Sequence, residues 1–544
     1  MTDGLRRSLR HAALAALIGV LGGCAALLGF EDTTLRETEG GLPPDADGGT
    51  TTEGGPNDAG TSAISVKPAS PVLRRGGALD LSVDIVRSAA SAGELSITLS
   101  ELPSDVTAAP ATLPPGISTG IVKLTATAAA TLGPTTTRLT VTGATLPSLE
   151  VPLLVADPAG TVDVTFDGDG VTIDATKGLA SAFYALALAS DGAIVAGGAG
   201  NGAVANAGWL LRRFSAAGVV DAAFTAAVAP SLPTTGELRA LAIDGAGKLI
   251  AVGASTPPPP AVQPVLTVAR FTATGALDTA FGGGIVRIPN AETPLGSTGY
   301  GVAVQANGSI VVVGSRKDAG PGETGLALRF LDNGTRDPTF NGGATVTVAD
   351  TRFVGVAVEA SGNVVLGGTT TPNTAAAYVV ARRTSTGAPD ATFGTAGVAT
   401  FGTGLRANAF VRTTGGPFAL AGDVRTGPAG YSAGIVGANG TPLFAKTITA
   451  AAGGAFNAIA APDDATLIAA GNVAAPNGEA RIDRILADGG VRDPSFGDAG
   501  TSLLDPGANG SDLSLYAAVI QKDGRILVAG NRSNAGAVVY RLWP

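Results

Sequence analysis

The side chains most often recruited for chemistry are nearly missing from this chain. It has one cysteine (Cys24), one histidine (His11) and one methionine (Met1), all within the first 24 of 544 residues. Once that leading segment is processed, as argued below, no histidine is left to serve as a general base or to complete a Ser-His-Asp triad. Zinc sites built from His and Cys, iron–sulfur clusters and cysteine nucleophiles are excluded with it. Carboxylates remain. Asp167-Gly168-Asp169-Gly170 clusters oxygens as a Ca2+ loop does, but it lacks the further spaced carboxylates and the terminal Glu, and reads as a turn. Gly198-x-Gly200-x-Gly202 has the look of a phosphate loop, yet it lies in a hairpin region with no following helix. Trp209 and Trp543 read as packing residues on strands. A glycosidase pair of carboxylates cannot be picked out by spacing. The sequence therefore assigns no catalytic, cofactor-binding or metal-binding residue.

The segment carrying the scarce residues is an address. Arg6, Arg7 and Arg10 precede an apolar run from Ala12 to Gly23, the layout of a secretory signal. The run ends in Leu21-Gly22-Gly23-Cys24, which resembles the bacterial lipobox. That resemblance implies removal of residues 1–23, lipidation of Cys24 and stable anchoring by several acyl chains. The alternative is an uncleaved anchor from Ala12 to about Phe30. Ala25 after the lipidated residue, rather than Asp, implies the outer membrane by resemblance to Gram-negative sorting. Cleavage takes away a net charge of +2 and carries the chain from −9 to −11. An acidic surface of that kind argues against nucleic acid as a partner.

Composition then divides the chain. Glycine accounts for 79 residues, aromatics for 5% and charged residues for 15%. Residues 24–61 form a lipidated linker, rich in Gly, Thr, Asp, Glu and Pro from 31 onward, which cannot bury a core and is expected to be disordered. Residues 62–157 alternate apolar and polar side chains in six short runs, from Ala63–Lys67 to Leu149–Val155, punctuated by Pro and Gly. Six or seven strands in this length suit an immunoglobulin-like sandwich. The string from Glu101 to Gly116 resembles bacterial Ig-like domains.

Residues 160–544 repeat. An alternating strand, a tight turn and an apolar run ending in Gly recur with that glycine at 198, 253, 314, 368, 422, 471 and 530. Between these copies lies Asp-x-x-Phe, with its phenylalanine at Phe166, Phe224, Phe281, Phe340, Phe393, Phe444 and Phe496; only the Phe444 copy replaces Asp, with Thr441. A large apolar residue recurring in a chain of small ones is an anchor between units, and the Asp caps its turn. Four strand-like runs per repeat, seven times over, describe an all-β, seven-bladed β-propeller. The last repeat stops before its Asp-x-x-Phe turn and the first begins with one. Residues 160–175 are therefore expected to meet 515–543 and close the ring.

These phrases resemble the delta-60 repeat of bacterial secreted and surface proteins, most clearly over Gly275–Gly284, Gly334–Gly343 and Gly387–Gly397. The resemblance implies the propeller and brings no catalytic residues. The expectation is a lipoprotein of the cell envelope, facing the periplasm or the cell surface. It presents its propeller as a non-catalytic scaffold for protein or glycan and needs no cofactor. The alternative is a carboxylate-dependent glycoside hydrolase or lyase acting at the propeller axis.

Overall fold

The structure, a computed structural model, describes residues 63–544 except 88–90, 145, 201–207, 261–262, 290, 372–375, 450–452, 475–477 and 506–511. Cys24 and the signal and linker readings lie outside the described residues. No helix among the described residues is long and apolar enough to cross a membrane.

Residues 64–156 fold as two facing sheets. One has the order Ile64–Lys67, Ala78–Ile85, Thr119–Ala126, Val106–Ala109. The other runs Val72–Arg74, Leu149–Ala156, Gly133–Thr142, Leu95–Ser100, Ala111–Leu113, with its first two strands parallel. The alternation seen in the sequence becomes strict burial of every second residue along Thr119–Ala126. Leu81, Val83, Ile97, Val122, Leu124 and Leu139 meet in the core. Three strands had no counterpart in the sequence reading: Val72–Arg74, Val106–Ala109 and Ala111–Leu113. All have four residues or fewer, and Pro110 splits the last two, so no alternating run is long enough to register.

Residues 171–542 form seven antiparallel sheets. Their first strands are Ala182–Leu188, Glu237–Ile243, Ser297–Val304, Thr351–Val358, Leu405–Arg412, Gly454–Ala460 and Leu513–Ile520. Each lies beside the first strand of the next sheet, and Leu513–Ile520 returns to Ala182–Leu188. The expected meeting of the ends is an antiparallel pairing of Val171–Asp174 with Gly536–Leu542, register Val171 to Tyr540. One grouping is corrected by this. The sequence assigns Val171–Ala175 to the first repeat, but the strand completes the last sheet and leaves the first with three strands. In the first repeat the segment after Asp-x-x-Phe is a helix, Ala222–Val228, rather than a fourth strand. It is alanine-rich, which favours helix, and Asp221 caps it by accepting from the Phe224 amide.

The two parts touch. Trp543 is fully buried with Leu154 and Ala156 of the sandwich. Arg74 donates to the Asp157 carbonyl at 2.6 Å and to the main-chain oxygen of Pro544. Arg75 donates to the Asp157 carboxylate at 2.6 Å.

Candidate functional site

The Asp-x-x-Phe residues are placed by a shared local chemistry. In five copies an arginine from the third strand of the same sheet donates its Nε to the Asp at 2.6–2.8 Å: Arg270 to Asp278, Arg329 to Asp337, Arg382 to Asp390, Arg484 to Asp493, and Arg541 to Asp163 across the chain ends. The same guanidinium lies 4.7–5.0 Å over the Phe ring. The other carboxylate oxygen accepts from the amide two residues on, at 2.8–3.2 Å. Six of the seven phenylalanines are buried; Phe444, in the copy without Asp, is half-buried. Each meets a turn glycine of the next sheet in a closed cycle: Gly218 on Phe166, Gly275 on Phe224, Gly334 on Phe281, Gly387 on Phe340, Gly440 on Phe393, Gly490 on Phe444 and Gly160 on Phe496. A Cβ there would come within 2.6–3.4 Å of the phenylalanine. The arginine was not identified from the sequence, though it stands eight residues before Asp278, Asp337 and Asp390.

A second shared feature builds a site. The first strand of every repeat sheet carries one β-bulge, at the same place. The inserted residues are Tyr184, Arg239, Tyr300, Val354, Asn408, Asn457 and Tyr516, each 14 positions before the repeat glycine. The bulge explains that glycine. A Cβ on Gly198, Gly253, Gly314, Gly368, Gly422, Gly471 or Gly530 would overlap the carbonyl oxygen just before the bulge, such as that of Thr298 opposite Gly314. A bulge re-aims a side chain, and here all seven line one cavity of about 410 Å3. Below this ring come small residues such as Ala185, Gly301 and Ala517, then an apolar layer including Leu186, Leu241, Val302 and Phe410.

One arc of the ring is aromatic and cationic. The rings of Tyr516 and Tyr184 meet edge-on at 5.1 Å. The Arg239 guanidinium lies 4.1 Å over Tyr184, and that of Arg352, two residues before Val354, lies 5.8 Å from Tyr300. Both arginines are held by carboxylates: Arg239 Nη2 by Glu237 at 2.5 Å, and Arg352 Nε by Glu323 at 2.9 Å. Arg239 Nε is buried without a partner among the described residues. The other arc is amide. Asn408 Nδ2 donates to the Phe456 carbonyl at 3.0 Å, and Asn457 Nδ2 to the Leu515 carbonyl at 3.2 Å, tying each sheet to the next.

Electrostatics fix the roles open to these groups. Burial pushes the Tyr184 phenol above its ordinary range against the opposing pull of Arg239, so at neutral pH it is a hydrogen-bonding group rather than a nucleophile. Burial alone would raise the Glu323 carboxyl, but hydrogen bonds from Arg352 and Ser315 outweigh it and hold it low. The Glu323 hydrogen bond in turn raises Arg352. Among the described residues, no Asp or Glu lines the cavity. The arrangement can stack on a ring face and donate and accept hydrogen bonds.

The other singled-out residues serve packing or turns. Asp167 has a positive φ of 52°, and Asp169 accepts from the Val171 amide at 3.1 Å. No group of three or more metal-ligating side chains occurs among the described residues. Gly198 and Gly200 lie on the strand Ile194–Gly200, and Gly202 lies outside the described residues. Trp209 and Trp543 are both fully buried, and Trp209 Nε1 donates to the Ala254 carbonyl at 2.8 Å.

The family model described as the domain of unknown function DUF5122 β-propeller matches residues 305–340. The match runs from the Asn307-Gly308 turn through Asp337-x-x-Phe340. No curated protein matches the chain. Among solved structures, a Bacteroides ovatus GH5 xyloglucanase in complex with a XXXG heptasaccharide is similar over 24% of this chain, at 16% identity and a TM-score of 0.14. This chain spans 30% of the xyloglucanase chain. Domains 5–6 of the S-layer protein SbsC are similar over 42% of this chain and 95% of theirs, at 13% identity and a TM-score of 0.15. A trypsin-activated α2-macroglobulin from Escherichia coli is similar over 88% of this chain and 41% of its own, at 9% identity and a TM-score of 0.17. Likenesses at this level do not extend to a shared overall fold. The family match and the repeating sheets together make this an all-β chain with a β-propeller domain.

Proposed function

We propose that the chain is a lipid-anchored protein of the cell envelope. It presents a seven-bladed β-propeller, behind an Ig-like sandwich, as a non-catalytic scaffold whose central opening binds a protein or glycan. Seven blades are supported by seven sheets whose first strands adjoin in a cycle and by the cycle of Phe on Gly contacts. The Ig-like assignment is supported by strand order, with the parallel pairing of Val72–Arg74 on Leu149–Ala156 added at one edge. The envelope address rests on the signal, the lipobox resemblance and Cys24.

The observation that carries the binding role is the ring of bulged side chains. A residue inserted at one position in every blade, and aimed each time into one cavity, is spent on the cavity rather than on the ladder. The cavity also has a size found in ligand sites. The absence of carboxylates from its wall among the described residues supports binding over carboxylate catalysis.

The test is cross-linking on intact cells, purification from the membrane fraction and mass spectrometry, with wild type beside Tyr300→Ser. The expected result is a reproducible partner or glycan adduct that the substitution reduces, together with an acylated Cys24. Adducts indifferent to Tyr300, or an unmodified Cys24 thiol, would overturn the corresponding half of the reading.

A further inference from the structure

The donors left open in the central ring narrow the ligand. Arg239 and Arg352 each give one edge to a carboxylate, and neither Nη1 carries a hydrogen bond among the described residues. Arg239 Nε is buried and unpartnered in the same wall. A buried donor left unpaired needs an explanation, and an acceptor taken up in the cavity is one. The charged side chains that line the cavity are Arg239 and Arg352, and their carboxylate partners Glu237 and Glu323 are not among the lining residues. A planar guanidinium with a free edge suits a carboxylate better than a lone hydroxyl.

The remaining wall describes what carries that carboxylate. Tyr184, Tyr300 and Tyr516 offer phenol faces and hydroxyls around a cavity of about 410 Å3. Phenol faces accept the C–H face of a pyranose ring, and their hydroxyls and Asn408 Oδ1, which accepts no hydrogen bond among the described residues, exchange bonds with sugar hydroxyls.

We infer that the central opening binds an acidic oligosaccharide, a uronate whose carboxylate is taken by Arg239 and Arg352 and whose ring stacks on the tyrosines. This deepens the binding reading above and rests on it. The interactions are noncovalent, and no bond is made or broken.

The experiment is isothermal titration calorimetry of the purified full chain in detergent, with an oligogalacturonate and its fully methyl-esterified, uncharged counterpart. The acid is expected to bind about tenfold or more tightly than the ester, the worth of one or two charge-assisted hydrogen bonds. Arg239→Gln should remove that preference, so that acid and ester bind alike. Tyr300→Ser should weaken both, with melting curves showing that each variant is folded. Arg352→Gln gives a second reading should Arg239→Gln not fold. Equal binding of acid and ester, lost together in Tyr300→Ser, would overturn the acidic-sugar inference and keep the opening as a glycan site. No heat with either probe would overturn the inference as well, and the Tyr300-dependent cross-link then decides the binding reading separately.

Discussion

At the scale of single residues, the repeat glycine and the arginine–aspartate–phenylalanine cluster do different work. Gly314 makes room for the bulge that aims Tyr300, so its requirement comes from a close approach and not from a left-handed backbone. Gly314→Ala drives a Cβ into the Thr298 carbonyl and is expected to cost about 2–3 kcal/mol. Gly320→Ala, where a Cβ meets nothing, should leave the melting temperature unchanged. In the cluster, Asp337→Ala leaves the buried Arg329 guanidinium without its carboxylate. A loss of about 3 kcal/mol is expected in denaturant titration. These carboxylates also set the acid limit. Burial alone would raise Asp337, but hydrogen bonds from Thr339 and Arg329 outweigh it, and in Asp390 the Thr392 hydroxyl and amide lead. Both sit below the ordinary carboxylate range when folded. Their contribution is present above the unfolded value of about 4 and is lost as pH falls through the lowered folded value. Stability measured from pH 6 to pH 2 should therefore be flat at first and drop below about pH 4, less steeply in Asp337→Ala.

At the scale of elements, the strands of the repeats were readable because two signals coincide. Alternation marks the first strand, and a two-residue turn with Gly fixes its pairing to the second, as at Asn307-Gly308. The bulge was not read, because an inserted residue breaks the alternation that reveals the strand. Its trace is only the constant interval of 14 between Tyr184, Tyr300 or Tyr516 and the glycine that follows. The helix Ala222–Val228 was missed for another reason. Asp221-x-x-Phe224 has the same phrase as its five counterparts, and only the alanines around Phe224 decide for helix. The third-strand arginines were overlooked because their partner lies beyond a turn. Arg541 and Asp163 are 378 residues apart and meet only once the chain closes.

At the scale of the whole molecule, closure is the property on which the site depends, since the cavity wall draws on all seven first strands. Val171–Asp174 supplies the fourth strand of the last sheet, and Asp163 supplies the partner of Arg541. Amides of Gly536–Leu542 are expected to exchange with solvent as slowly as those of Thr351–Val358 in the intact chain. In a chain lacking residues 1–175 they should lose that protection first. The sandwich is held to the propeller by Trp543, Arg74 and Arg75. Trp543→Ala empties a buried site at that junction and is expected to cost about 3–5 kcal/mol, with loss of cooperativity between the two parts.

The central claim is that the bulged ring is the face that meets a ligand. Its most direct test places a photo-activatable cross-linking side chain at position 300, in the ring, and separately at position 443, where Leu443 is exposed on the outer strand of its sheet. Both chains are irradiated on intact cells and their adducts compared by mass spectrometry. A defined adduct is expected from position 300, and none shared with position 443. Adducts from position 443 alone, with position 300 silent in a folded protein, would contradict it.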